Sequence, residues 1–198
     1  AISGTGVRND FTHQDAAIRL QHVQLVKSWI AVAAKLGAPV LRIFSGLEYP
    51  PAEDRNMMLD MLTRHINECL PVAKAHGVIL AVQNHHDFLR TGDEVKELFH
   101  RIQSPWFGLV LDIGSYRGAS PFEDIAKTIP YAVNWQIKEK MFVDGKEQAT
   151  DLAKLYSLIR GSGYRGYLPV ETLGPGDPFK KVPAFLKQFR AVMKEGPA

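Results

Sequence analysis

Five polar residues in a row, Gln83, Asn84, His85, His86 and Asp87, follow an unbroken apolar run from Val78 to Val82. Amide oxygens, imidazoles and carboxylates are the groups that hold cations and move protons. The apolar run reads as a buried strand, and a plain loop after it needs polarity but not this density of ligand-type groups. Other strand-like stretches end the same way. "FGLVLD" (107–112) closes on Asp112, "AVNWQIK" (132–138) carries Gln136 and Lys138 near its end, and "YLPVET" (167–172) carries Glu171. Side chains alternate along a strand. With Leu80, Val82, Leu109, Leu111, Trp135, Ile137, Leu168 and Val170 turned outward, the inward set ends in Gln83 and His85, in Asp112, in Gln136 and Lys138, and in Glu171. Arg42 of "VLRIF" falls inward by the same rule, deeper in the fold. Polar groups at the ends of several strands predict one shared site.

The elements that must position these groups alternate along the chain. Helical spacing covers 14–36, with Thr12 and Asp15 as a capping-box-like start and Gly37 as the stop. A strand is expected at 38–44, then a helix over 53–76 that Pro71 should kink. Strand 77–84 leads to helix 92–102, strand 107–112 to helix 120–129 with Pro121 in its first turn, and strand 132–138 to helix 150–161. Strand 167–172 and helix 179–194 close the chain. Such alternation means an α/β domain with a parallel sheet covered by helices. No linker or composition shift divides it, so residues 1–198 form one domain of about six βα units. A doubly wound sheet also satisfies the alternation, but no G-x-G-x-x-G turn follows the first strand, which argues against a nucleotide cofactor. Polar strand ends favour a barrel, whose active sites lie there.

Composition sets wider bounds. The 198 residues are 45% hydrophobic and 23% charged, enough for a real core. No apolar run reaches the roughly 20 residues of a membrane span. The single cysteine, Cys69, excludes an internal disulfide and fits a reducing, cytoplasmic compartment. The net charge of +3 is spread along the chain, which permits anionic ligands without demanding nucleic acid.

The segments "GVILAVQNHHDF", "FGLVLDIGSYRG", "NWQIKEK" and "GYRGYLPVETLGPGDP" resemble the last four strands of the xylose-isomerase-like TIM-barrel superfamily of sugar isomerases, epimerases, inosose dehydratases and type IV apurinic endonucleases. The resemblance implies a (β/α) barrel of which about six of eight units are visible, with "AISGTG" in the place of the third strand. It also implies a divalent metal held by a Glu, an Asp, a His and a Glu. Those positions are Gln83, Asp112, Gln136 and Glu171 here, so two match and two are amides. Four oxygen donors would suit Mg²⁺ or Mn²⁺ better than Zn²⁺, with weaker affinity than a fully charged set.

The resemblance makes a sugar or polyol carbonyl the expected substrate and proton transfer beside that carbonyl the expected chemistry. Glu171 would be the base, the metal or Lys138 the electrophile, and His85 a second proton carrier, although Lys138 reads equally as a phosphate ligand or as the salt-bridge partner of Asp112 or Glu171. Arg42, Glu48, His86, Arg117 and Asn9 are expected around the substrate, although Arg42 also reads as a buried partner of a carboxylate. His22, His65, His76 and His100 fall on helices and read as surface residues. A dehydratase would use the same parts. A non-catalytic sugar-binding barrel would explain the two amides, and the small inventory of ligands argues against a nucleic-acid enzyme. The incomplete sheet is expected to leave edges open to self-association, giving a mass above the 22.1 kDa monomer.

Overall fold

A computed structural model describes residues 1–49, 51–52 and 54–195. The chain runs β1 (Thr5–Gly6), α1 (Ala16–Lys35), β2 (Val40–Phe44), α2 (Arg55–His76), β3 (Ile79–Gln83), α3 (Gly92–Arg101) and β4 (Phe107–Asp112). It continues through α4 (Pro121–Thr128), β5 (Ala132–Lys138), β6 (Lys140–Val143), β7 (Lys146–Ala149), α5 (Leu152–Gly161), β8 (Val170–Glu171) and α6 (Pro178–Glu195). Six strands pair in parallel in the order β1-β2-β3-β4-β5-β8, and this sheet curls into a half-barrel. The start expected for the second helix at Glu53 lies outside the described residues. That helix continues through Pro71 to His76 and stops at Gly77, whose φ of 65° suits a residue without Cβ.

The two faces of the sheet separate as alternation requires. Leu80, Val82, Leu109, Leu111, Trp135 and Ile137 pack with the helices in one continuous core. On the concave side only a small apolar group forms, Val40, Ala81 and Val110 with Ile79 and Val133, and polar residues continue above it. The pairing of β4 with β5 slips between Leu109 and Val110, so β5 carries one extra residue there. Such a bulge reverses parity. Val133 and Gln136, three apart, therefore both serve the concave side.

Several local expectations change. Asp15, rather than Thr12, caps α1 by accepting from Ala17 N at 2.8 Å, while Thr12 is held by Asp10. A true capping box stands instead at Thr91 and Glu94 of α3. The last strand shrinks to Val170–Glu171 because Pro169 lacks an N–H for the ladder, although its carbonyl still accepts from Ile137 N at 2.8 Å. The β6–β7 hairpin was not anticipated, yet its turn is Asp144-Gly145 with φ of 50° and 72°, the strongest short hairpin signal. His65 is buried, not exposed, against the ring of Phe11. Both outer strands, β1 and β8, have only two residues, so each sheet edge offers a short ladder to any other chain. No helix among the described residues is long and apolar enough to cross a membrane.

Candidate functional site

Asp112, the last residue of β4, is fully buried and sits at the centre of the polar end of the sheet. Its Oδ2 accepts from Gln83 Nε2 at 2.8 Å, Ser115 Oγ at 2.7 Å and Lys138 Nζ at 2.8 Å. Its Oδ1 accepts from Gly114 N at 2.9 Å. Each oxygen of an ionised carboxylate carries two lone pairs, so three donors saturate Oδ2, the oxygen that faces Lys138, while Oδ1 has a single donor. Asn84 fixes the backbone beneath it, donating to Asp112 O at 2.8 Å and accepting from Asp112 N at 2.7 Å. The polar run that follows Val82 thus begins by clamping β3 to β4.

Gln83 also donates to Gln136 Oε1 at 2.9 Å. Turning the Gln83 amide over would set oxygen against oxygen at both contacts, so the network itself fixes its orientation. Lys138 reaches the same centre from β5 and lies 3.3 Å from Glu171 Oε2. That oxygen is buried without a hydrogen-bond partner and keeps a lone pair for other work. Burial would lower the Lys138 ammonium, but the charge of Asp112, the hydrogen bond to it and the charge of Glu171 outweigh burial and raise it. The ammonium stays charged. Its path is open because residue 114 is glycine. A Cβ there would fall 2.6 Å from Lys138 Cδ.

Above this floor opens a cavity of about 370 Å³, lined by Lys138, Glu171, His85, His86, Ser115, Arg117 and Phe142 among others. His85 Nδ1 is hydrogen-bonded to Asp87 Oδ2, and the imidazole meets the Phe44 ring edge-on at 5.2 Å. A carboxylate at Nδ1 leaves Nε2 as the free nitrogen. Burial and then the neighbouring His85 push the His86 imidazole below its usual value. The far wall is the hairpin, where Arg117 Cζ stacks 3.8 Å over Phe142 and its Nη1 donates to Gly114 O and Tyr116 O, both at 2.9 Å. Phe142 was missed with its hairpin, and the Asp144-Gly145 turn was the signal that could have found it.

Other expected residues stand elsewhere. Asn9 is buried, and both its amide atoms bond the Phe44 backbone at 2.9 Å, extending the β1–β2 ladder. Glu48 borders a separate pocket with Asp10, Thr12 and His13. Arg42 makes no ion pair with a carboxylate among the described residues. It donates to Val7 O at 3.3 Å and lies 4.1 Å from the Phe44 ring centre, beside a recess of about 240 Å³ that Gln136 shares. The sequence-based convergence of Gln83, Asp112, Gln136, Lys138 and Glu171 is geometrically present, with His85, His86 and Arg117 around it.

Residues 2–189 match the family of xylose isomerase-like TIM barrels. The chain belongs to that family. No curated protein sequence matches it. Among solved structures, a xylose isomerase domain protein from Planctomyces limnophilus superposes with TM-score 0.78 at 19% identity, covering 94% of this chain and 70% of the other. The 3-keto-D-glucoside 4-epimerase from E. coli gives 0.79 at 11% identity, covering 94% and 78%. The IolI protein, whose structure holds a zinc atom, gives 0.75 at 16% identity, covering 96% and 74%. These likenesses carry the barrel fold.

The family raises the question of a metal. A divalent ion among Gln83, Asp112, Gln136 and Glu171 needs free lone pairs turned toward it, but Asp112 Oδ2, which faces Lys138, already takes three donors and Gln83 presents its N–H groups. The four donors as arranged do not fit an ion. The other gathering of ligand-type atoms among the described residues is His85, His86 and Asp87, within 4.8 Å of one another on the cavity wall.

Proposed function

We propose that the chain is a sugar isomerase or epimerase that moves a proton beside a carbonyl. The observation that carries this reading is the Lys138 ammonium, 2.8 Å from Asp112 and 3.3 Å from Glu171, on the floor of a cavity that His85 also lines. Glu171 takes a proton from the carbon next to the substrate carbonyl. The electron pair left behind moves onto the carbonyl oxygen, and the Lys138 ammonium stabilises the resulting enediolate, a charge that exists only after proton removal. Glu171 or His85 then returns a proton: in an isomerisation to the former carbonyl carbon, while the neighbouring hydroxyl proton passes to the former carbonyl oxygen, and in an epimerisation to the opposite face of the original carbon. Asp112 does not touch the substrate in this scheme. It holds the ammonium charged and in place. Arg117 and Phe142 form a wall against which a sugar ring packs its C–H face. Sugar epimerases among the structural relatives support the substrate class.

A second reading, a sugar-binding barrel without turnover, is favoured by the closed ion pair at the floor. Incubation with a panel of ketopentoses, ketohexoses, their phosphates and keto-glycosides, followed by NMR, separates the two. Conversion of one member with chelator present supports the proposal. Binding without conversion of any member supports the second reading and overturns the first.

A further inference from the structure

We infer that the Lys138 ammonium occupies the place of a divalent cation between Asp112 and Glu171, so that any ion at this centre must first displace it. The inference takes from the proposed function only the identity of the site. Its support is geometric. Lys138 Nζ stands within 3.3 Å of both carboxylates, one of which is fully buried. A carboxylate pair facing one point is what a divalent ion would bridge, and here a single positive charge bridges it instead. Three donors on Asp112 Oδ2, the oxygen that faces this centre, leave no lone pair there for a metal. The two amides complete the exchange. Gln83 donates to Asp112 and to Gln136, whereas a metal would require its oxygen to turn inward. A monovalent cation between two carboxylates also needs less negative charge around it than a divalent one, which suits amides at positions 83 and 136.

Gly114 shows that the chain makes room for this cation. Any larger residue there would press on the Lys138 stem at 2.6 Å. The lysine competes with a metal for the same oxygens, and because it is tethered its effective concentration there is on the order of millimolar or higher. Free divalent ions must overcome that.

The experiment is a Mn²⁺ titration of the substrate-free protein, read by the electron paramagnetic resonance of unbound Mn²⁺. The unaltered chain should bind Mn²⁺ weakly at this site. Lys138→Met should bind it at least tenfold more tightly, and Asp112→Asn in the Lys138→Met background should lose that gain. Lys138→Arg, which keeps the charge, should gain nothing. Should Lys138→Met fail to fold, Gly114→Ala carries the test alone, because it dislodges the ammonium while leaving the lysine present. A gain of about threefold in that variant supports the inference, and unchanged affinity overturns it. Equal Mn²⁺ affinity in the unaltered chain and in a folded Lys138→Met variant also overturns it. Neither readout involves a sugar, so failure here leaves the proton-transfer reading standing, and failure to convert any sugar leaves this one standing.

Discussion

Asp112 and Glu171 are carboxylates facing the same ammonium from opposite surroundings. Asp112 ends β4, between two full-length strands, with its side chain wholly buried and four donors upon it. Glu171 ends the two-residue β8 at the sheet edge, its side chain 39% exposed, and the loop beyond it turns through Gly174 and Gly176 at φ of 78° and 117°. The central carboxylate cannot move or change partners without breaking a network. The edge carboxylate can. A site that must hold a charge still while another group accepts and returns a proton needs both kinds, and the sheet supplies them by position.

The comparison breaks most sharply through Glu171→Gln. Turnover should fall by about 10²–10⁴-fold, the usual worth of a general base, while stability changes by less than about 1 kcal/mol, as for a partly exposed ion pair. Rates and urea unfolding on one sample check both halves. Asp112→Ala should do the reverse to the fold. Removing the buried partner leaves Lys138 with only the partly exposed Glu171 and strips the acceptor from Gln83, Ser115 and Gly114, which should cost about 3–5 kcal/mol, seen as a lower urea midpoint. A loss under about 1 kcal/mol would mean that the central and edge carboxylates are alike.

How far the sequence foretold this arrangement varies with the kind of physics involved. The convergence of Gln83, Asp112, Gln136 and Glu171 was legible because alternation on parallel strands is strict and the outward residues are plainly apolar. Counting back from Trp135 and Ile137 worked because the bulge lies before them. The bulge itself, at Val133, carries no residue signature. The hairpin was legible in Asp144-Gly145, yet its strands are polar and exposed, so no hydrophobic pattern drew attention to them. The pairing of Lys138 with Asp112 or Glu171 was legible from its inward register, but that it bridges both depends on the space left at Gly114, which spacing alone does not reveal. His65 looked like one more helix histidine because its burial is made by Phe11, more than fifty positions away.

Two smaller effects sharpen the contrast between fixed floor and adjustable wall. Phe142→Ala removes the ring under Arg117, an interaction worth about 0.5–1 kcal/mol. The Michaelis constant should rise a few-fold with little change in turnover, measured on whichever sugar proves active. A fall in turnover instead would place the hairpin in the chemistry. His65 gives a pH signature far from the site. Burial holds its imidazole below the ordinary 6.5, so the folded chain keeps it neutral. The unfolded chain takes up that proton at higher pH. The stability concerned is complete above about pH 6.5 and is lost as pH falls through the lowered folded value. His65→Leu should flatten that slope in melts between pH 7 and pH 5, a change of about 1 kcal/mol at most, with no effect on turnover.

The most direct test of proton transfer carried by Glu171 beside the Lys138 ammonium is solvent deuterium incorporation into the active ketose. It is followed by NMR in D₂O with chelator present, comparing the unaltered chain with Glu171→Gln and His85→Gln. The account predicts deuterium at the carbon next to the carbonyl with the unaltered chain and none with Glu171→Gln. With His85→Gln, exchange should persist while conversion to the second sugar slows. Undiminished exchange in Glu171→Gln, or exchange that disappears with chelator and returns only with added divalent metal, would contradict it.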